Sequence, residues 1–183
     1  PDSPDQVDVP PKLHKLADVF EEYMQWGDIM GVKDIGSLNH KILHEEVKDL
    51  ILTGEAFHER RYAAIADAIL TKRENVKLVL IAGPSSSGKT TTSKRIATQL
   101  KIMGMKPVVL EMDNYFVNRE DTPRDAEGNY DYESLQAMDV PFLNRQLKQL
   151  LNGETVEIPV FDFVKGQRTF IGKKPTLGEN EIL

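Results

Sequence analysis

No cysteine occurs in the 183 residues, which excludes a disulfide framework, a thiolate nucleophile and a cysteine-based zinc site. Basic residues are in deficit: 23 Lys and Arg stand against 29 Asp and Glu, a net charge of −6. That balance argues against a broad footprint for the nucleic-acid backbone, although a small phosphate ligand needs only a local positive site. Long apolar runs are missing too, and no signal-peptide pattern opens the chain, so the expectation is a soluble, cytoplasmic protein with no membrane partner. The single tryptophan, Trp26, lies near Tyr23 and Met24 and reads as core rather than as a stacking platform. What the chain does have is 40% hydrophobic residues, enough for a real core in one domain or one domain with a small attachment.

The most informative stretch is "IAGPSSSGKTTTSKR", residues 81–95. Gly83, four residues, then Gly88, Lys89 and Thr90 fit G-x-x-x-x-G-K-[ST], the P-loop pattern. The pattern carries weight only between a strand and a helix, and both flanks are suitable. "VKLVLIAG", from Val76, is a short β-branched apolar run, and Ile96, Leu100 and Met103 recur at helical spacing before Gly104. In that setting Gly83, Pro84, Ser85, Ser86, Ser87, Gly88, Lys89, Thr90 and Thr91 form the predicted phosphate cradle. The helix N-terminus adds unpaired donors and partial positive charge. Lys89 would reach the β/γ-phosphates of ATP, and Thr90 would be the Mg²⁺ ligand.

Two unequal parts follow from the pattern, after a proline- and aspartate-rich edge at 1–10 that reads as linker. Residues 11–74 form a helical segment. Leu13, Leu16, Phe20, Tyr23 and Met24 line one face ending near Gly31. Leu38, Ile42, Val47, Leu50 and Ile51 line another that Ser37 could cap, and Gly54 separates a third helix with Phe57, Ile65, Ile69 and Leu70 inward. A DNA-reading helix-turn-helix is disfavoured by the acidity of the chain. His40 and His44 are spaced i, i+4 beside Glu45, but the pattern is not H-E-x-x-H and has no third ligand nearby. Residues 75–183 form the second part, an α/β domain with a parallel sheet and flanking helices of the P-loop NTPase type.

Within that part "KPVVLEMDNYF" reads as a second buried strand with an acidic end. Thirty positions separate Gly83 from Asp113, the length of a β-α-β crossover, so the two strands should run parallel with their carboxyl ends at one edge. Asp113 would then lie near the phosphate site, where a carboxylate can orient a hydroxyl or accept its proton, with Glu111 on the same face. A plain turn aspartate is the competing reading. A polar connection follows, Asp139 can cap a helix running to Gly153, and "VEIPVFDFVKGQRTFIG" reads as a hairpin around Lys165-Gly166, with Pro159 confining its first strand to an edge.

"GPSSSGKTT", "DNYF", "NYDYES" and "IPVFDFVKGQR", in that order, resemble the uridine kinase and phosphoribulokinase family of P-loop kinases over roughly residues 11–183. The resemblance implies an ATP-dependent kinase with Lys89 and Asp113 catalytic, and Asp113, Tyr115, Asp131, Phe161 and Arg168 at the acceptor. It puts Asp131 on the ribose hydroxyls, and Phe161 and Gly166 where uridine kinases have a tyrosine and a histidine near the base, so uridine itself is not implied. It also implies a further strand, of which Ile182-Leu183 look like the first residues, and then a basic lid, so the chain is expected to be a fragment of a longer protein. The expected partner is a nucleoside or related small molecule, with self-association as a further expectation. Two alternatives stay open: a phosphoribulokinase-like sugar-phosphate kinase, and a regulatory module that binds nucleotide without transferring phosphate.

Overall fold

The computed structural model describes residues 11–84 and 86–183, the side chains of 11–15 excepted. The expected linker at 1–10, the place of Leu13 on its helix face and the role of Ser85 lie outside the described residues. The chain divides into two compact units, residues 1–59 and 60–183.

In the first unit α1 runs over Pro11–Met30 and α2 over Ile35–Leu43, and α3 begins at Val47 and continues to Leu70. Asp34, not Ser37, is the N-cap of α2. Asp34 Oδ1 accepts the Ser37 N–H at 2.7 Å, and Ser37 Oγ accepts the Asp34 N–H at 3.1 Å, a reciprocal capping box. Gly54 does not separate two helices; it lies inside α3, where the Trp26 ring covers it, Cη2 standing 3.7 Å from the position a Cβ would take. The break falls earlier, at Glu45, whose φ of 62° is left-handed. Trp26 meets Phe57 at 4.8 Å between ring centroids. Tyr23 and Met24, expected in the core with it, are exposed, as are Leu16 and Phe20. The periodicity of α1 is real, but from Leu16 to Met24 its apolar face is exposed.

The second unit is built around three apolar clusters. Ala66, rather than the exposed Ile65, is the position of α3 that enters the first cluster, with Ile96, Leu100, Met105 and Ile182. Tyr62, Ile69 and Leu70 pack there too, so the end of α3 belongs with the α/β unit, short of the expected boundary at 74. Helix α4 spans Lys89–Ile102, α5 spans Val140–Leu151, and short 3-10 turns occupy Met112–Tyr115, Arg119–Asp121 and Leu135–Ala137. Strand β1, Lys106–Pro107, pairs in parallel with β4, Glu181–Ile182. The ladder is flanked by Lys106 N–H to Asn180 O at 2.9 Å and Val108 N–H to Ile182 O at 2.8 Å. On the other side Leu183 N–H donates to Lys77 O at 3.0 Å, and Val79 N–H donates to Leu183 O at 2.7 Å, which is the parallel pattern again. The segment 181–183 therefore lies between the two stretches that the crossover argument set parallel.

The second cluster joins Leu150 of α5 to Val156, Ile158 and Leu177, with Val108 and Leu110 against it. Strand β2, Pro159–Asp162, and β3, Gln167–Phe170, form the expected antiparallel hairpin. No helix among the described residues is long and apolar enough to cross a membrane.

Candidate active site

The extended segment 76–83 leads into the glycine-rich loop, and α4 leaves it at Lys89. Gly88 is the N-cap with φ 84° and ψ 19°, a left-handed conformation in which glycine carries no Cβ penalty. Ser86 shares the positive φ, at 58°. The first intrahelical bond is Thr92 N–H to Gly88 O at 2.9 Å, so the amides of Lys89, Thr90 and Thr91 have no acceptor within the helix. At Gly83 a Cβ would stand 2.7 Å from Ser87 Oγ, so a side chain there requires the Ser87 hydroxyl to turn away. Lys89 Nζ donates to Pro84 O at 2.8 Å, which holds the ammonium across the loop. Three helix-start amides without a helix acceptor, a Cβ-free position and a lysine suit a polyphosphate, and the exposed Thr90 hydroxyl suits a hard cation beside it.

After β1 the chain passes through Val108–Leu110 and tightens into the 3-10 turn that carries Asp113. Glu111 Oε1 stands 3.6 Å from Lys94 Nζ of α4. Both side chains are exposed, so the pair adds no more than about 1 kcal/mol, but it ties the acidic segment to the helix that starts at the loop. Asp113 is exposed, and among the described residues its carboxylate has no hydrogen-bond partner. A cleft of about 260 Å³, which Asp113 itself does not line, opens beside the turn between Lys94, Glu111 and Asn114 on one side and Pro159, Val160 and Lys173 on the other.

Three of the residues expected at the acceptor hold the framework. Tyr115 is fully buried, its hydroxyl donates to Gln146 Oε1 at 2.8 Å, and burial pushes its pKa up to about 12. Gln146 passes the chain on through Nε2 to Glu157 O at 2.7 Å. Tyr115 is therefore a core residue, with its one polar atom already used. Phe161 is buried with Phe116 and Ala137 in the third cluster. Arg168 on β3 donates through Nη1 to Asp139 Oδ2 at 3.0 Å and through Nη2 to Phe116 O at 3.0 Å and Tyr115 O at 3.3 Å. Its guanidinium also lies 4.8 Å from the Phe142 ring centroid. It joins the hairpin to the Asp113 turn and to the start of α5, where Asp139 Oδ1 caps Phe142 N–H at 3.0 Å, as expected.

Asp131 is half-buried, with Oδ1 accepting the Glu133 and Ser134 amides at 3.1 Å each. Tyr130 and Tyr132 flank it in sequence and belong to a group of aromatic rings of which the motif reading singled out only Phe161. Phe116 meets Tyr132 at 5.4 Å and Phe161 at 5.7 Å, both edge to face, and Tyr130 meets Tyr132 at 6.2 Å. The available signal was the run of tyrosines and phenylalanines in "DNYF", "NYDY" and "VFDF".

Against known proteins, a uridine kinase of Ligilactobacillus salivarius is 34% identical over 101 residues, covering 55% of this chain and 46% of that protein. The Inorganic pyrophosphatase TTM2 of Arabidopsis thaliana is 35% identical over 97 residues, covering 53% of this chain and 13% of its own length. A solved structure from Silicibacter sp. TM1040, provisionally named a fructose transport system kinase, superposes with a TM-score of 0.50 at 21% identity over 66% of this chain and 60% of that one, which is a likeness of fold. The chain spans under half the length of the uridine kinases it matches. Residues 78–183, more than half of the chain, match the family model described as phosphoribulokinase / uridine kinase, and the chain belongs to that family.

Proposed function

We propose that this chain carries the nucleotide-binding and acceptor-orienting part of an ATP-dependent phosphotransferase that acts on a hydroxyl of a nucleoside, on a P-loop NTPase-type parallel sheet. The observation that carries the reading is the Lys94–Glu111 contact of 3.6 Å. It links the helix rising from the phosphate loop to the turn whose open carboxylate is Asp113. ATP with Mg²⁺ supplies the transferable phosphoryl group and neutralises its charge.

The chain's own atoms divide the remaining work. The amides of Lys89, Thr90 and Thr91 bind phosphate oxygens, Lys89 places a cation over them, and Thr90 offers a hydroxyl to the metal. Asp113 orients the acceptor hydroxyl and takes its proton at a carboxylate oxygen. Asp131, with Oδ1 committed to its turn, offers Oδ2 to vicinal hydroxyls of a sugar. The rings of Phe116, Tyr130 and Tyr132 beside it suit a planar base. Phe161 and Arg168 serve by holding that wall in place.

Transfer from labelled ATP by the full-length protein, extended past Leu183, to a panel of nucleosides and sugar phosphates tests the proposal. Label on a nucleoside hydroxyl supports it. Label on a sugar phosphate alone moves the chain to the phosphoribulokinase-like reading. Tight nucleotide binding with no acceptor labelled favours the regulatory module.

A further inference from the structure

The turn of the β2–β3 hairpin is fastened from two sides. From within, Asp162 Oδ1 accepts the Val164 and Lys165 amides at 3.0 Å each, and Asp162 O accepts the Gly166 N–H at 2.6 Å. From outside comes Arg119, forty-seven positions earlier. Its Nη2 donates to Phe163 O, its Nη1 to Val164 O at 3.3 Å, and its backbone N–H to Gly166 O at 2.8 Å. Neighbouring Asn118 accepts the Arg168 N–H at its Oδ1, at 3.2 Å. Two consecutive residues thus grip both the turn and the strand that leaves it.

Gly166 is fixed twice over by this arrangement. Its φ of +68° is left-handed, and a Cβ would lie 2.7 Å from both Cβ and Nε of Arg119. The arginine occupies the space that a side chain at 166 would need. The turn also carries Phe163, which is 56% exposed and stands 5.0 Å from Phe161 and 6.3 Å from Phe116, ring to ring. Phe161 and Phe116 are the buried floor of the aromatic wall; Phe163 is its exposed rim. A planar guanidinium can reach two adjacent carbonyls at once, which an ammonium on a flexible stem cannot do in a fixed geometry.

We propose that Arg119 is a positioning residue of the acceptor site: by filling the space above Gly166 and holding the carbonyls of Phe163 and Val164, it sets where the Phe163 ring stands over the aromatic wall. The proposal rests on the nucleoside-acceptor reading. Since Arg119 acts on where the acceptor rests, its loss should weaken acceptor binding much more than it slows the transfer step.

The test compares Arg119→Ala, Arg119→Lys and Gly166→Ala, the last in wild-type and Arg119→Ala backgrounds. Three readouts are followed: amide exchange over residues 163–168, ATP affinity by calorimetry, and nucleoside KM and kcat. In Arg119→Ala, exchange in the turn should quicken roughly tenfold and nucleoside KM rise roughly tenfold, with kcat within threefold and ATP affinity within twofold. Arg119→Lys should behave like the alanine variant. Gly166→Ala should raise KM more in wild type than in Arg119→Ala, which removes the 2.7 Å contact with Nε while keeping the one with Cβ. Unchanged exchange, faster exchange with unchanged KM, or full rescue by lysine would each overturn the proposal while leaving nucleoside transfer standing. A full-length wild-type protein that transfers to no nucleoside would overturn the nucleoside reading, and the proposal with it.

Discussion

The glycine-rich loop and the hairpin wall, the two surfaces proposed to meet ligands, are of opposite construction. Around Gly83–Thr90 the surface is mostly main chain: amides at the start of α4, a left-handed Gly88, and a Gly83 whose missing Cβ makes room for Ser87. Around the hairpin it is mostly side chain, gathered from the Asp113 turn, the Tyr130–Tyr132 stretch, the hairpin itself and α5. A main-chain surface is tolerant of side-chain identity at most positions and intolerant of backbone change. A side-chain surface fails one residue at a time, and each residue depends on partners distant in sequence.

That contrast predicts where substitutions hurt. The largest effect is expected at Asp113, the open carboxylate: Asp113→Asn should lower kcat by roughly 10²–10⁴ while leaving ATP affinity within a few-fold. Single-turnover transfer and calorimetry measure the two quantities, and a parallel fall in Mg-ATP affinity would place Asp113 at the metal instead. Next comes Lys89→Ala, expected to weaken ATP binding about a hundredfold, since it removes the side-chain cation the loop holds, whereas Ser87→Ala should stay within about threefold because the loop binds through amides. Equal losses in the two variants would erase the distinction between the two surfaces.

Smaller effects are expected in the supports of the wall. Arg168→Ala strands Asp139 Oδ2 and two carbonyls and should cost about 2 kcal/mol in urea unfolding. Tyr115→Phe leaves Gln146 Oε1 without its donor and should cost about 1 kcal/mol near neutral pH. Alkaline titration sharpens this last case. The Tyr115 pKa is raised from 10.0 to about 12 by burial, so the unfolded chain loses this proton first. The contribution is complete below pH 10.0 and is lost as pH rises through about 12. Wild type should therefore lose stability over that interval more steeply than Tyr115→Phe.

The same contrast explains what could be seen in the sequence. The Gly-Lys-Thr spacing, the helix after it, the Asp139 cap and the hairpin turn are local features, each decided by residues within a few positions of one another. Asp131, Phe161 and Arg168 were located by motif order, but whether each one lines a surface or supports it depends on contacts from far away. Tyr115 shows the difficulty: its neighbour Asp113 is open to solvent, yet its own hydroxyl is spent on Gln146 of α5. Gly54 misled for a related reason. Glycine inside a helix costs about 1 kcal/mol relative to alanine, but here the Trp26 ring packs directly over it. Segment 181–183 was recognisable as the start of a strand, but its position between two earlier stretches was not, because pairing order is a long-range property.

That middle position has a consequence for the order in which the protein assembles. Residues 77–79, which lead into the phosphate loop, and residues 106–108 are both hydrogen-bonded to residues 180–183. During synthesis the loop and α4 emerge long before the segment that joins these two stretches. Until it arrives, Val79 and Val108 present unpaired edges, and closing the sheet means bridging a long intervening chain, a slow step for a topology rich in distant contacts. The glycine-rich loop, although local in sequence, is then held in its final place in part by residues made long after it.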